Sequence, residues 1–578
     1  MMRINKNIMK LALVAVLLFT TACSDSLEDI NISPNNLPDK EVDIKYVLTG
    51  ILTKSAQIST NLTYETGELS AATQYLQRDF TSYEENNYQW GAKDFSNFYE
   101  PIKDSNYIFQ RAELEKSGET KNYYQAVALI MKSYWFGFMT SSFGDMPYTN
   151  ALQAEKGGDE FFKPVYDEQE VIFSGILQDL EQANALLKNA GVCAEAVDAD
   201  VMYQGDALKW RKFANSLRLR FYMRLSEKTG TEIDPAANIA EMVNNSGEYP
   251  VLDSNESNAS ISFVGTDDVN SWVGGPLYFS FRSEFYRRKP SATIVNDLKA
   301  LGDPRLTAWV RPVDIQIMQG TSNEVILEDG ALKRYVDFDI TAINNDEDEE
   351  NNINTALYVG LDVALNAPND FNLGGTVNEY KDAINALNEN IYLGSASNPH
   401  TSYLSDIYAE NHHPLVKAVL MSAAETQFIL AEASSRGWIS GDALDFYKNG
   451  IEISLNQYDI ADGDALSVYD VENNTLVPFN QDVYMAHVTQ LYNDSSNKLA
   501  VIMHQKWIAN WLTAESWFDW RRTGFPDFNA NIISGTNGQN TPQRFWYDDP
   551  YNEEHMLDAI QGLQPSTNDQ WSKMWLLR

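Results

Sequence analysis

The apolar positions Tyr123, Ala126, Val127, Ile130, Met131, Tyr134, Trp135 and Phe138 recur in steps of three and one. That spacing puts all eight on one stripe of an α-helix over 123–138, ended by Gly144 and Pro147. Similar text predicts helices over 41–57, 65–80, 96–115, 166–189 and 206–228, the last with Asp206 as its N-cap. From 250 to 412 the periodicity fades. Gly274, Gly275, Pro276, asparagine-rich stretches and the acidic run 344–352 read there as loops and short elements.

Helical text returns at 413. Leu430, Ala431, Ala443 and Tyr447 fall at the offsets of a tetratricopeptide unit, in which small residues let two antiparallel helices approach and an aromatic ring fills the space beside them. Gln427 and Ser434 depart from that pattern. Arg436, Gly437 and Trp438 predict a helix end with a left-handed cap, and Ser440, Gly441 and Asp442 a new start, so the pair is an αα-hairpin. Trp210, Phe213, Ala214 and Leu217 repeat the front half of the spacing, so more than one unit is expected. The predicted fold class is mostly α: tetratricopeptide-like helical repeats at about 41–250 and 413–525, with loop-rich regions at about 251–412 and 526–578.

The first residues change the picture of where this body works. Arg3, Lys6 and Lys10 precede an apolar run at 11–19 and then Thr20, Thr21, Ala22 and Cys23. This reads as a signal peptide over 1–22, too short to remain as a membrane span. It resembles a bacterial lipoprotein signal, with Thr20 where a branched aliphatic residue is usual. Cys23 would then carry the lipid, and 23–40 would be a tether whose acidic start, SDSLED at 24–29, resembles a surface-export signal. No Pro/Ser/Gly-rich linker divides the remainder, so 41–578 is read as one domain. Formal net charge is −38, and loss of the signal with its three cations takes it to −41, which disfavours nucleic acid as a partner. The only other cysteine is Cys193, so packing must stabilise the body, with 13 Trp, 30 Tyr and 26 Phe supplying apolar area.

Candidate chemistry is sparse. Glu515 and Asp519 lie one helical turn apart, as a glycosidase would need, but they sit beside Arg521 and Arg522, where ion pairing along the helix accounts for them. Glu425 and Glu432, with Arg436, read as a structural pairing too. The six histidines form no HExxH, and the chain has neither a GxSxG elbow nor a P-loop. The run DEDEE at 346–350 lacks the spacing of a calcium loop and reads as a solvated acidic loop. No metal or cofactor is expected, and the protein is read as no enzyme.

Three segments, ETQFILAEASSRGW at 425–438, QKWIA at 505–509 and ESWFDWRRTGFP at 515–526, together resemble the SusD/RagB family of outer-membrane nutrient-binding lipoproteins. The resemblance extends to DINISP at 29–34, SFGDMPY at 142–148 and WRKFANSLRLR at 210–220. It implies four tetratricopeptide-like units beside an irregular ligand-binding half. It also implies a lipid-anchored, surface-facing protein that binds oligosaccharides or another nutrient and delivers them to a SusC-like TonB-dependent transporter. A surface glycoside hydrolase and a protein-binding tetratricopeptide scaffold stand as alternatives. A sugar offers a weakly apolar ring face and a rim of hydroxyls, so its site needs exposed aromatics bordered by polar groups. Two stretches have that mixture: YEENNYQW at 83–90, with Tyr83, Asn87, Tyr88 and Trp90, and WVGGPLY at 272–278, with Trp272 and Tyr278, where the glycines would let backbone approach a ligand. Trp135, Trp507 and Trp511 are expected in the core.

Overall fold

A computed structural model describes residues 42–80, 85–279, 282–328, 330–345, 352–373 and 398–578. Ten helices organise it: α1 Ile44–Thr60, α2 Ser96–Glu115, α3 Gly118–Phe143, α4 Gln169–Leu187, α5 Ala207–Arg224, α6 Ala423–Ser435, α7 Ala443–Asn456, α8 Gln481–Asp494, α9 Lys498–Ala509 and α10 Glu515–Thr523. Sequence neighbours pair as hairpins, α2 with α3, α4 with α5, α6 with α7 and α8 with α9. Consecutive hairpins also touch, α3 against α4 and α5 against α6, so the apolar stripes merge into one core running from Ile44 to Leu576.

Local signals set these boundaries. The Asp206 carboxylate accepts from the Leu208 and Lys209 amides and starts α5, and Asp442 does the same for α7 through Leu444. Gly437, at φ +75°, turns the chain after α6 where few side chains would be tolerated. In the α6–α7 hairpin, the Tyr447 ring meets Phe428 edge-on at 6.2 Å. The predicted 65–80 helix is shorter. A π-turn at Asn61–Glu65 leads through Gly67 to a helix at Glu68–Ala72, and Leu76–Arg78 then pairs as a strand with Arg288–Pro290. Gln74 is the break: its φ is +55° and its amide donates to the Phe528 carbonyl, so a distant partner outweighs local helix propensity.

α3 is buried nearly all round, because α2, α4 and α5 all pack on it. Gly137 makes the α5 approach possible, since a Cβ there would lie 2.2 Å from the Phe221 ring. Gly137→Ala is therefore expected to destabilise by about 1–3 kcal/mol, read as a lower urea midpoint with an unchanged slope.

The 251–412 stretch carries small sheets. β1 Ala259–Ser262 pairs antiparallel with β5 Lys417–Met421, with a bulge after Ala259. β2 Ile315–Gln319, β3 Glu324–Glu328 and β4 Ala331–Val336 form a sheet in the order β2-β4-β3, parallel between β2 and β4. No described helix is long and apolar enough to cross a membrane. Cys23, Tyr83 and the acidic run 346–350 lie outside the described residues.

Candidate functional site

A cleft of about 660 Å³ opens where the end of α1, the middle of α3, the β1–β5 ribbon and the turn from α9 to α10 converge. Its mouth carries the exposed side chains of Glu256, Lys417 and Asp459, and its floor the buried Trp135, Met421 and Glu425. Trp272, Tyr408 and Trp511 form an aromatic wall. Each ring there is fixed by its neighbours. The Trp272 indole donates to the Tyr408 carbonyl at 3.0 Å, the Trp511 indole to the Tyr408 hydroxyl at 2.9 Å, and Trp511 stacks on Trp309 at 4.8 Å. Burial holds the Tyr408 hydroxyl protonated by raising its pKa well above the ordinary phenol value.

Beneath the floor lies a ladder of buried charge. Arg220 of α5 grips Glu425 of α6 with two donors, at 2.8 and 2.6 Å, and lies 3.3 Å from Glu515 of α10. Arg224, one turn on, completes the pairing of Glu515. A second group joins Lys506 to Asp519 at 2.7 Å and Arg522 to Glu432 at 2.7 Å, with Arg436 on Glu432 at 2.9 Å. Burial raises the Asp519 pKa, but Lys506 and Arg522 outweigh it and leave the carboxyl below its usual range. Glu515 and Asp519 are thus ion-paired, as expected, although most partners come from other helices rather than from α10 itself. The described residues hold no cluster of three or more His, Cys, Asp or Glu suited to a metal.

The family model described as "Starch-binding associating with outer membrane", SusD-like, matches residues 39–548. The chain belongs to the SusD-like family. Solved SusD-like structures share its fold. A SusD homolog from Bacteroides fragilis is 21% identical, covering 93% of this chain and 100% of that one, with a TM-score of 0.68. A SusD homolog from Bacteroides uniformis is 19% identical, covering 92% and 99%, with a TM-score of 0.62. A chitin-binding protein is 21% identical, covering 92% and 100%, with a TM-score of 0.64. No curated protein matches. That family is described as starch-binding and associated with the outer membrane.

In this SusD-like fold the two sequence-predicted stretches part company. Trp272 is in the cleft wall, and Tyr278, half-buried, donates to Asn61 between the cleft-lining Thr60 and Leu62. Asn87, Tyr88 and Trp90 lie apart from it, under the C-terminal segment. The Asn87 carbonyl accepts from the Thr536 amide, Tyr88 is buried with its hydroxyl on the Ala71 carbonyl, and Trp90 packs against Phe545 at 5.4 Å and Trp517 at 5.7 Å. The expectation of exposed aromatic platforms fails here. Tyr88, Trp90 and Trp272 are 0, 4 and 3% exposed, because chain far away in sequence covers them. The reason given for the glycines changes as well. Gly274 and Gly275 let backbone tuck against Tyr408 and Asn411, both within 2.6 Å of an added Cβ. Sequence reasoning missed Asn510, which lines the cleft. Asn510 carries no local signal. It becomes visible only when the α9–α10 turn is placed against α3.

Proposed function

We propose that this protein is a non-enzymatic, lipid-anchored receptor on the outer face of the outer membrane that captures a nutrient glycan in the cleft and delivers it unaltered to a SusC-like TonB-dependent transporter. The observation that carries the reading is the cleft. A fixed aromatic wall faces hydroxyl and amide side chains in a hollow of the size that holds small ligands, about 300–1,000 Å³. Family membership supports the glycan and the membrane, and Cys23 after an apolar run supports the anchor. Trp272 supplies ring contact and Tyr278 the rim, while Asn87, Tyr88 and Trp90 pack under the C-terminal segment, away from the cleft.

A glycan array of the full chain, followed by calorimetry on its best binder, tests the proposal. Trp272→Ala should weaken that glycan by about 0.5–1.5 kcal/mol, roughly two- to twelve-fold. Unchanged affinity would remove the wall from the site, and release of new reducing ends would replace the receptor with a hydrolase.

A further inference from the structure

Asn510 is 3% exposed, lines the cleft, and its Nδ2 amide has no hydrogen-bond partner. A buried donor left unpaired is costly, and few native groups stay that way without an acceptor that arrives from outside. The charges around it are lopsided. Glu256, Glu425, Asp459 and Glu515 line the cleft, against Lys417 as the one cation among the described lining residues. Arg220 and Arg224 already occupy Glu425 and Glu515 from behind. A carboxylated or sulfated sugar would therefore meet the mouth's Glu256 and Asp459 with only Lys417 to offset them. Trp135 and Met421, 0 and 1% exposed, line its buried side.

We infer that the cleft takes an uncharged residue of a glycan, with Asn510 Nδ2 donating to an oxygen of that residue. This rests on the glycan-capture reading and narrows it to a class: neutral sugar residues, with anionic ones refused. Hydroxyl, ring and acyl oxygens are the acceptors such a residue presents.

The test uses the full chain in detergent, titrated calorimetrically with four neutral tetrasaccharides (of glucose, xylose, mannose and N-acetylglucosamine) and with tetragalacturonate. At least one neutral tetrasaccharide should bind, and tetragalacturonate at least about 10-fold more weakly. Glu256→Lys with Asp459→Lys should narrow that gap. Asn510→Leu should weaken the neutral ligand roughly 5- to 10-fold while its melting temperature holds or rises, since the change removes an unpaired buried donor. A purely structural asparagine would show the reverse, a lower melting temperature at unchanged affinity. Unchanged affinity in Asn510→Leu, or tetragalacturonate bound as tightly as the neutral ligand, overturns the inference and leaves glycan capture standing. Binding of no glycan, neutral or acidic, overturns capture and this inference together.

Discussion

Replacing Arg220 with methionine should destabilise the protein by about 3–5 kcal/mol, the range for removing one partner of a buried ion pair. Burial acts to strip the Arg220 proton, yet Glu425 and Glu515 outweigh it and raise its pKa above the ordinary guanidinium value, so the charge is held. Glu425 is 2% exposed, and without Arg220 it would keep its charge in a dry site or take up a proton. The Leu420 carbonyl, 2.9 Å from Arg220 Nη2, would lose that donor. Glu515 would retain Arg224. The expected readout is a lower urea midpoint by tryptophan fluorescence. The double change Arg220→Met with Glu425→Met should recover most of the loss, because no buried charge is then left alone. A double variant as unstable as the single one would mean that packing, not charge, sets the role of Arg220. The pairing also has a geometric consequence. Arg220 spans α5, α6 and α10, so the cleft floor is built on three helices that one guanidinium holds in register.

What could be read in the sequence was local. The α3 stripe, the Asp206 cap and the Gly437 turn each depend on residues a few positions apart, and each has its counterpart in the folded chain. The stripe understated α3, because periodicity reports one apolar face, and here polar residues such as Ser133, Thr140 and Ser141 are also buried by neighbouring helices. The site was harder. Trp90 and Trp272 follow no helical stripe, which in sequence is the signature of an exposed ring, yet each is covered by residues more than a hundred positions away, Phe545 for one and Tyr408 for the other. Arg220, Glu425 and Glu515 were individually visible as charges on helical text. Their union under the cleft needed α5 to meet α6 and α10, a matter of packing angles that no spacing rule contains.

Acidification from pH 7 to pH 4 should remove about 3 kcal/mol of stability through His400 alone, at about 1.4 kcal/mol per pH unit. Burial pushes its pKa from 6.5 down to about 3, helped by the positive charges of Arg334 and Lys289 and opposed by the Ile315 carbonyl 2.7 Å from Nδ1. In the unfolded chain the imidazole takes up a proton near pH 6.5, whereas in the folded chain it stays neutral until about pH 3. The unfolded state therefore binds more protons throughout that window. Stability from this group is complete above pH 6.5 and is lost as pH falls toward 3. Asp79 works in the opposite sense. Burial raises its carboxyl from 3.8 to about 6, so the folded state binds the extra proton between those values and gains stability as pH falls through them. The wild-type profile sums both effects, so the variant isolates one. His400→Asn keeps an amide able to donate toward Ile315 and has no titration, and its urea-derived stability should fall less than the wild type's between pH 7 and pH 4 by that same amount. Parallel profiles for the two proteins would show that acid reaches His400 without unfolding the chain around it.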